Sequence, residues 1–445
     1  MNVLFMSMPV PEDMERDGMH IMPPMALYLL GAIIQNHGHN VKIVDPSIIR
    51  KYKPYRDNDK LRSFIQHSLI GIDVVCISGN TINWKTNKYL IELIRSLNRT
   101  VKIIMGGLHV SYFYKYTMQT NEIDYIVRDE GEISLVALID ALAVNSSDIR
   151  DIPGLVYRHN GEILTNEPVV LTKEQLQESP LPMYEQMPKD TYPMMPIMTS
   201  RGCRYGCRFC SVPRKYNWIG LDEEYVINYI KRITDKFSAK FLTNCIYFTD
   251  DCFTADSNRA CKILDGIAPF DVNVSIEARA RDLKSLELLK RLQSNKVQRI
   301  AIGVECGYNE GLKRINKGLT VEDVIEVLSL LKEHDLIEKA WCSFIYGFPW
   351  ETVDDCVKTI DFAAYIVKNF GVKVNINMLS LFPSQIWNER KEYGIEVDES
   401  HFDTETLTSE SGFFTTHPNF SYSDVNFLLK RIYDYEAKNI VLRSK

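Results

Sequence analysis

The sequence predicts an α/β protein in which two successive runs of strand–helix units each build a parallel sheet. Short strand candidates rich in Val, Ile and Met alternate with amphipathic helix candidates. The strands show little polar alternation, as expected when helices cover both faces of a parallel sheet. The rhythm breaks once, in residues 150–190, and resumes from Tyr192. A length of 445 residues also exceeds one ordinary domain.

In the first run, strands are expected at Asn2–Ser7, Val41–Asp45, Asp73–Ser78, Val101–Gly106 and Asp124–Val127. Helices are expected around Met25–His37, Leu61–Leu69, Lys85–Leu97 and Ile133–Ala143. Such units make a doubly wound, Rossmann-like domain whose ligand crevice lies beyond the carboxyl ends of the strands. The break contains Asn160-Gly161, which supplies the positive φ angles of a type I′ hairpin turn, and then Pro180, Pro182 and Pro188. Second-run strands are expected at Met195–Thr199, Ile246–Thr249, Val272–Glu277, Arg299–Glu305, Lys339–Tyr346 and Lys373–Met378.

Composition narrows the class. Hydrophobic content of 45% and charged content of 25% are those of a soluble globular chain. A net charge of −6 argues against a basic nucleic-acid groove. No apolar run approaches the roughly 20 residues that span a bilayer. The opening Met-Asn-Val-Leu-Phe-Met-Ser lacks a signal peptide's basic region and cleavage site and reads as a strand. Ten unevenly spaced cysteines make no disulfide framework and fit a reducing cytoplasm.

Just after the first strand of the second run comes Cys203-Arg-Tyr-Gly-Cys207-Arg-Phe209-Cys210, a C-x3-C-x2-C loop. Three soft thiolates on one loop can hold three irons of a [4Fe–4S] cluster and leave the fourth open to an exogenous molecule. A zinc knuckle pairs C-x2-C units or adds histidines, and neither is present. Arg204, Arg208 and Arg214 either raise the positive potential at such a cluster or form a solvated rim.

This loop, with Phe209 before its last cysteine, resembles the cluster loop of the radical S-adenosylmethionine (radical SAM) superfamily. Motifs at later strand ends resemble the same family in order: Phe248-Thr-Asp250-Asp251-Cys-Phe, Ser275-Ile-Glu277-Ala-Arg279, Gly303-Val-Glu305-Cys-Gly, Arg314-Ile-Asn-Lys-Gly and Tyr346-Gly347-Phe-Pro-Trp-Glu-Thr. The resemblance implies a partial (β/α)6 TIM-type barrel over residues 191–385, with its site at the strand carboxyl ends. It implies that SAM chelates the open iron and is reductively cleaved to a 5′-deoxyadenosyl radical. Asp250 or Asp251 would face the methionine ammonium. Glu277 and Arg279 either grip the methionine end or pair with each other. Gly303, Glu305 and Gly347 would lie against the nucleoside, where glycine lets backbone come close. Cys306 stands where the family has serine, and Trp350 where it has glycine, which puts that turn's shape in question. Cys252 and Cys306, at strand ends, are open to a role. Cys76, Cys245, Cys261, Cys342 and Cys356 read as core.

Residues 1–148 resemble the cobalamin-binding domains that precede some barrels of this superfamily, with 149–190 a hairpin and proline-containing linker. The resemblance is carried by Met22-Pro-Pro-Met, Gly38-His-Asn-Val-Lys-Ile-Val-Asp45, Val74–Ser78, Met105-Gly106-Gly107-Leu-His109 and Val127-Arg-Asp-Glu130-Gly131-Glu132. It implies that Gly106 and Gly107 let backbone approach a corrin or its nucleotide tail. Ser78, Asn80 and Thr81 would hydrogen-bond that ligand, with Glu130 and Gly131 nearby. Asp17-Gly-Met-His20 lacks the spacing of the histidine-ligated members, so cobalamin is expected without a protein histidine. Residues 386–445 are read as a small α+β region that caps the barrel, with Phe382, Trp387 and Phe413–His417 near the substrate.

The function expected is C-methylation of an unactivated carbon of a small molecule or natural product. The alternative is a cyclisation, ring contraction or rearrangement with both cofactors. A non-catalytic cobalamin or iron–sulfur sensor is the reading from another class. The partners implied are the substrate and an external electron donor such as a flavodoxin or ferredoxin.

Overall fold

The computed structural model describes residues 1–11, 22–146, 148–212, 218–403 and 419–443. By its internal contacts the chain divides into two units. One comprises Met1–Pro193 with Ala239–Leu242 and a short stretch from Asp398; the other begins at Met194 and takes the remainder.

The first unit is built on β1 (Asn2–Met6), β2 (Asn40–Val44), β3 (Val74–Ser78), β4 (Lys102–Gly106) and β5 (Tyr125–Val127), each parallel to its neighbours. Val3, Leu4, Val74, Val75 and Ile103 are fully buried, which is why these strands lack polar alternation. The order β2-β1-β3-β4-β5 puts a topological switch beside β1. In open α/β sheets the ligand crevice forms at such a point, beyond the carboxyl ends.

Strands β6 (Leu155–His159) and β7 (Glu162–Thr165) form the expected hairpin, with Asn160 at φ 51° and Gly161 at φ 84°. Rather than standing free in a linker, the hairpin pairs antiparallel with β5 and extends the sheet to seven strands. Tyr125 and Val127 offer edge groups that Tyr157 and Leu155 satisfy.

The second unit is a six-stranded, all-parallel sheet. Its strands are β8 (Met194–Ile197), β11 (Cys245–Phe248), β12 (Asn273–Ala278), β13 (Val297–Glu305), β14 (Ala340–Tyr346) and β15 (Lys373–Met378), in that spatial order. The edge strands β8 and β15 do not pair with each other, as in a partial barrel, and on the outer side of β15 Ile376 N–H donates to Leu442 O at 3.0 Å. A small antiparallel pair, β9 (Ser200–Arg201) with β10 (Ile219–Gly220), closes the base of the cysteine loop.

The region after 385 departs from a simple barrel cap. Residues 398–403 belong to the first unit: Asp403 accepts from Trp84 Nε1 at 2.8 Å, Lys88 Nζ at 2.7 Å and Tyr116 OH at 2.7 Å. Three donors on one half-buried carboxylate make the attachment specific. The helix Tyr422–Glu436 stays with the second unit, where Arg431 holds Asp361 at 2.6–2.7 Å. No helix among the described residues is long and apolar enough to cross a membrane.

Candidate functional site

The cysteine loop leaves β8 through Thr199 and Ser200, both buried, and Gly202 at φ 78° turns the chain outward. Asp250, just past β11, knots this exit. It accepts from Thr199 N–H at 3.1 Å, Thr199 Oγ1 at 2.8 Å and Ser200 Oγ. Arg259 clasps the same turn, donating to Thr199 Oγ1 at 3.1 Å and Leu221 O at 2.9 Å. Burial raises the Asp250 carboxyl above the ordinary carboxylate range, with these bonds and Arg259 opposing. Asp250 is thus spent on the fold. Asp251 is its opposite: water reaches it, no described residue bonds it, and yet protein flanks it closely. Burial first, and Asp250 second, push its carboxyl up to about 6, against Arg201.

Of the ten cysteines, seven are buried and only Cys203, Cys207 and Cys210 are half-exposed. Burial raises the Cys203 thiol, and it takes Cys210 up to about 11; each also feels Cys207 and Asp251, so the thiols share one neighbourhood. No three His, Cys, Asp or Glu side chains among the described residues stand as a ready-made metal-ion site. By donor chemistry the loop fits an iron–sulfur cluster: three soft thiols on eight residues, a half-exposed setting, and no fourth cysteine on the loop. Cys252 and Cys306 are core groups instead; burial takes the Cys252 thiol up to about 12 and Cys306 well above its usual value.

Three braces hold the loop. Tyr205 OH donates to Asp282 at 3.2 Å while the Arg279 guanidinium lies 3.5 Å over its ring. Asn316 Nδ2 donates to Gly206 O at 2.9 Å. Arg208 N–H donates to Ile315 O at 3.0 Å. Phe209 packs edge-on against Phe348, with Lys317 Nζ 5.7 Å from its centroid. Arg204 lies over Trp218 and donates to Ala255 O at 3.1 Å. Arg214, His20 and Phe413–His417 lie outside the described residues.

Glu277 and Arg279 have separate partners. Tyr247 OH donates to Glu277, and Arg279 stacks on Tyr205. At the end of β13, Glu305 takes φ 76° across a register shift and pairs with Lys317 at 2.9 Å, the two side chains 9% and 8% exposed. A Cβ on Gly303 would lie 2.4 Å from Glu305 Oε1 and 2.7 Å from Lys317 Nζ. The room that glycine leaves is therefore occupied by this ion pair.

The turn after β14 survives Trp350 because the positive φ falls on Gly347, at 81°. Glu351 ties it, accepting from Gly347 N–H at 2.7 Å, Phe348 N–H at 2.9 Å and Tyr308 OH at 2.9 Å. Lys317, Glu351 and Tyr205 were not singled out from sequence. Their signal was membership of quoted motifs, without partners to show which residue mattered.

In the first unit, Ser78 is half-exposed and Asn80 exposed at the carboxyl end of β3, with Gly106, the last residue of β4, paired beside Ser78 and Gly107 following it. Gly79 N–H donates to Gly106 O at 3.0 Å. A Cβ on Gly107, at φ 103°, would lie 2.4 Å from Gly79 O. Gly107→Ala is therefore expected to cost about 3 kcal/mol or more in urea unfolding, through strain plus a backbone clash. Gly38→Ala, at φ 86° with nothing within 4 Å, should cost only about 1 kcal/mol. Equal losses would show that the contact with Gly79 carries no weight.

Other expected ligands turn inward. Thr81 is buried 3.3 Å from His109 Nδ1, Glu130 accepts from Leu171 N–H at 2.7 Å, and Gly131 packs on Leu30. His109 is 1% exposed and stacked on Trp84 at 4.5 Å, so it presents no nitrogen to a ligand. Burial takes His109 down to about 3, Asp403 opposing. The imidazole is thus neutral in the fold, whereas the unfolded chain binds a proton near pH 6.5. Stability should fall as pH drops from about 6.5 toward 3, and be insensitive to this group above that window. His109→Phe should flatten that part of the pH profile; an unchanged slope would refute the assignment.

Residues 197–363 match the family model described as the radical SAM superfamily, and residues 19–139 that of the B12 binding domain. Over 361 residues the chain is 30% identical to an uncharacterized methyltransferase of Pyrococcus horikoshii, spanning 77% of this chain and 73% of that protein. It is 23% identical over 359 residues to the anaerobic magnesium-protoporphyrin IX monomethyl ester cyclase of Synechocystis, spanning 76% and 68%. Among solved structures it resembles the radical SAM methyltransferase TsrM of Kitasatospora setae, with TM-score 0.68, 16% identity, and 88% and 74% of the two chains covered. It also resembles the cobalamin-dependent SAM radical enzyme OxsB, with TM-score 0.66, 20% identity, and 94% and 56% covered. Fold and thiol loop define an α/β enzyme with a partial barrel and a second, doubly wound unit. The chain belongs to the radical SAM superfamily and carries a B12-binding domain ahead of its radical SAM domain.

Proposed function

We propose that this enzyme is a cobalamin-dependent radical SAM methyltransferase acting on an unactivated carbon of a small molecule or natural product. The observation that carries the proposal is the set of three half-exposed thiols on one braced loop at the carboxyl end of β8. When bound, a [4Fe–4S] cluster with SAM would supply a 5′-deoxyadenosyl radical, and cobalamin a methyl group. Cys203, Cys207 and Cys210 would hold three irons. Asp251, rather than the occupied Asp250, would face the cationic end of SAM. Arg279, which acts on Cys203, would balance negative charge beside the loop. In the first unit Ser78, Asn80 and the Gly106–Gly107 backbone would hold cobalamin with no protein histidine among the described residues. The names of the Pyrococcus protein and of TsrM favour methyl transfer; TsrM has been solved with tryptophan as its substrate, which favours a small molecule here.

The cyclase relative keeps a second reading open, in which both cofactors serve a cyclisation or rearrangement without methyl transfer. Anaerobic protein reconstituted with iron, sulfide, cobalamin and a flavodoxin or ferredoxin donor separates them. Methyl transfer predicts S-adenosylhomocysteine beside 5′-deoxyadenosine, and a metabolite-extract component whose added methyl carries the label from methyl-labelled SAM. 5′-Deoxyadenosine without S-adenosylhomocysteine would favour the second reading. Neither product would sink both and favour the sensor.

A further inference from the structure

We propose that Arg208 is a positioning residue that clamps the three-cysteine loop to the segment Gln385–Tyr393, and that this clamp sets how rigidly Cys207 and Cys210 are held. Arg208 lies between those cysteines and is bound on several sides. Its N–H donates to Ile315 O at 3.0 Å, and its carbonyl accepts from Ile386 N–H at 3.2 Å. Its guanidinium donates to Glu389 Oε2, to Tyr393 OH at 2.9 Å and to Arg314 O at 3.4 Å. Glu389 is itself held by Gln385 Nε2 at 2.5 Å and Tyr393 OH at 3.2 Å. The aromatic side of the clamp is Trp350, with the guanidinium carbon 5.5 Å from its ring.

The charge of Arg208 is therefore committed to Glu389 rather than adding to the field at the thiols. A planar fork of donors can engage a carboxylate, a phenol and a carbonyl together, which a lysine ammonium on a flexible stem does less well. The residue that follows Cys207 is thus fixed through both backbone and side chain to two other parts of the same unit. Loosening it frees the loop that carries the thiols.

Hydrogen exchange on the full-length protein before cluster reconstitution tests the clamp directly. Arg208→Ala and Glu389→Gln should speed exchange at residues 206–211 by roughly tenfold, while β13 keeps its wild-type protection. Arg208→Lys should fall between. Glu389→Gln preserves side-chain volume and carries the test if Arg208→Ala does not fold. After reconstitution, both variants should lose iron to a chelator faster than wild type and broaden the electron paramagnetic resonance of the reduced cluster. Wild-type exchange at 206–211 in Glu389→Gln would overturn the inference, as would a uniform rise across the unit. The second test rests on the proposed function. A wild type that takes up no iron would sink that proposal, while the exchange result still decides this one.

Discussion

Alanine at Cys203, Cys207 or Cys210 is expected to abolish iron retention and SAM cleavage, a loss of at least about a thousandfold in 5′-deoxyadenosine formation. Thiolate ligands contribute most of the binding free energy of such centres, and a two-thiolate remnant leaves a second iron open to water and loss. The fold should survive, because all three side chains are half-exposed and Asp250, Arg259, Asn316 and Tyr205 hold the loop without them. The matched control is Cys356→Ala, a fully buried thiol against Glu351, which should lower stability by about 1–2 kcal/mol yet retain iron. Iron analysis and visible spectra of anaerobically reconstituted protein would read both. Undiminished iron in all three loop variants would end the assignment of the site.

The second large effect is expected at Glu305. Removing it leaves the Lys317 ammonium buried without its partner, and breaking a buried pair this way costs about 3–5 kcal/mol. Burial by itself would lower the Lys317 pKa, but Glu305, with Cys207 beside it, opposes this and the ammonium ends up held above its usual value. Glu305→Ala should therefore destabilise far more than Glu305→Ala combined with Lys317→Met, since the double change leaves no uncompensated charge. Denaturant unfolding of the wild type, Glu305→Ala, Lys317→Met and the double variant tests this. Additive costs would show that the pair is not energetically coupled. Gly303→Val should mimic the single variant, because its side chain would press on Glu305 Oε1 and Lys317 Nζ.

Much of this protein is legible in one dimension. Parallel strand positions in both sheets lie within two residues of those read from apolar runs, because burial on both faces leaves a continuous hydrophobic signal. The type I′ hairpin was legible because Asn160-Gly161 is a local demand for positive φ. The cysteine loop was legible because its ligands are neighbours in sequence. What misled was the fate of shared chemistry: Asp250 and Asp251 look alike in sequence, yet one is consumed by Thr199 and Ser200 and the other faces water. The hairpin read as part of a linker because nothing local reveals that β5 has an edge to fill.

The sequence by itself determined the two-sheet architecture, the order of motifs along the second sheet and the identity of the three candidate iron ligands. These depend on period and spacing, which act over a few residues. Only the tertiary structure decided which charged groups are spent on each other. Arg208 and Glu389 stand 181 positions apart, and Trp84 and Asp403 stand 319 apart. Pairings across such distances are selected by packing, where a desolvated charge must find a partner that folding brings within reach.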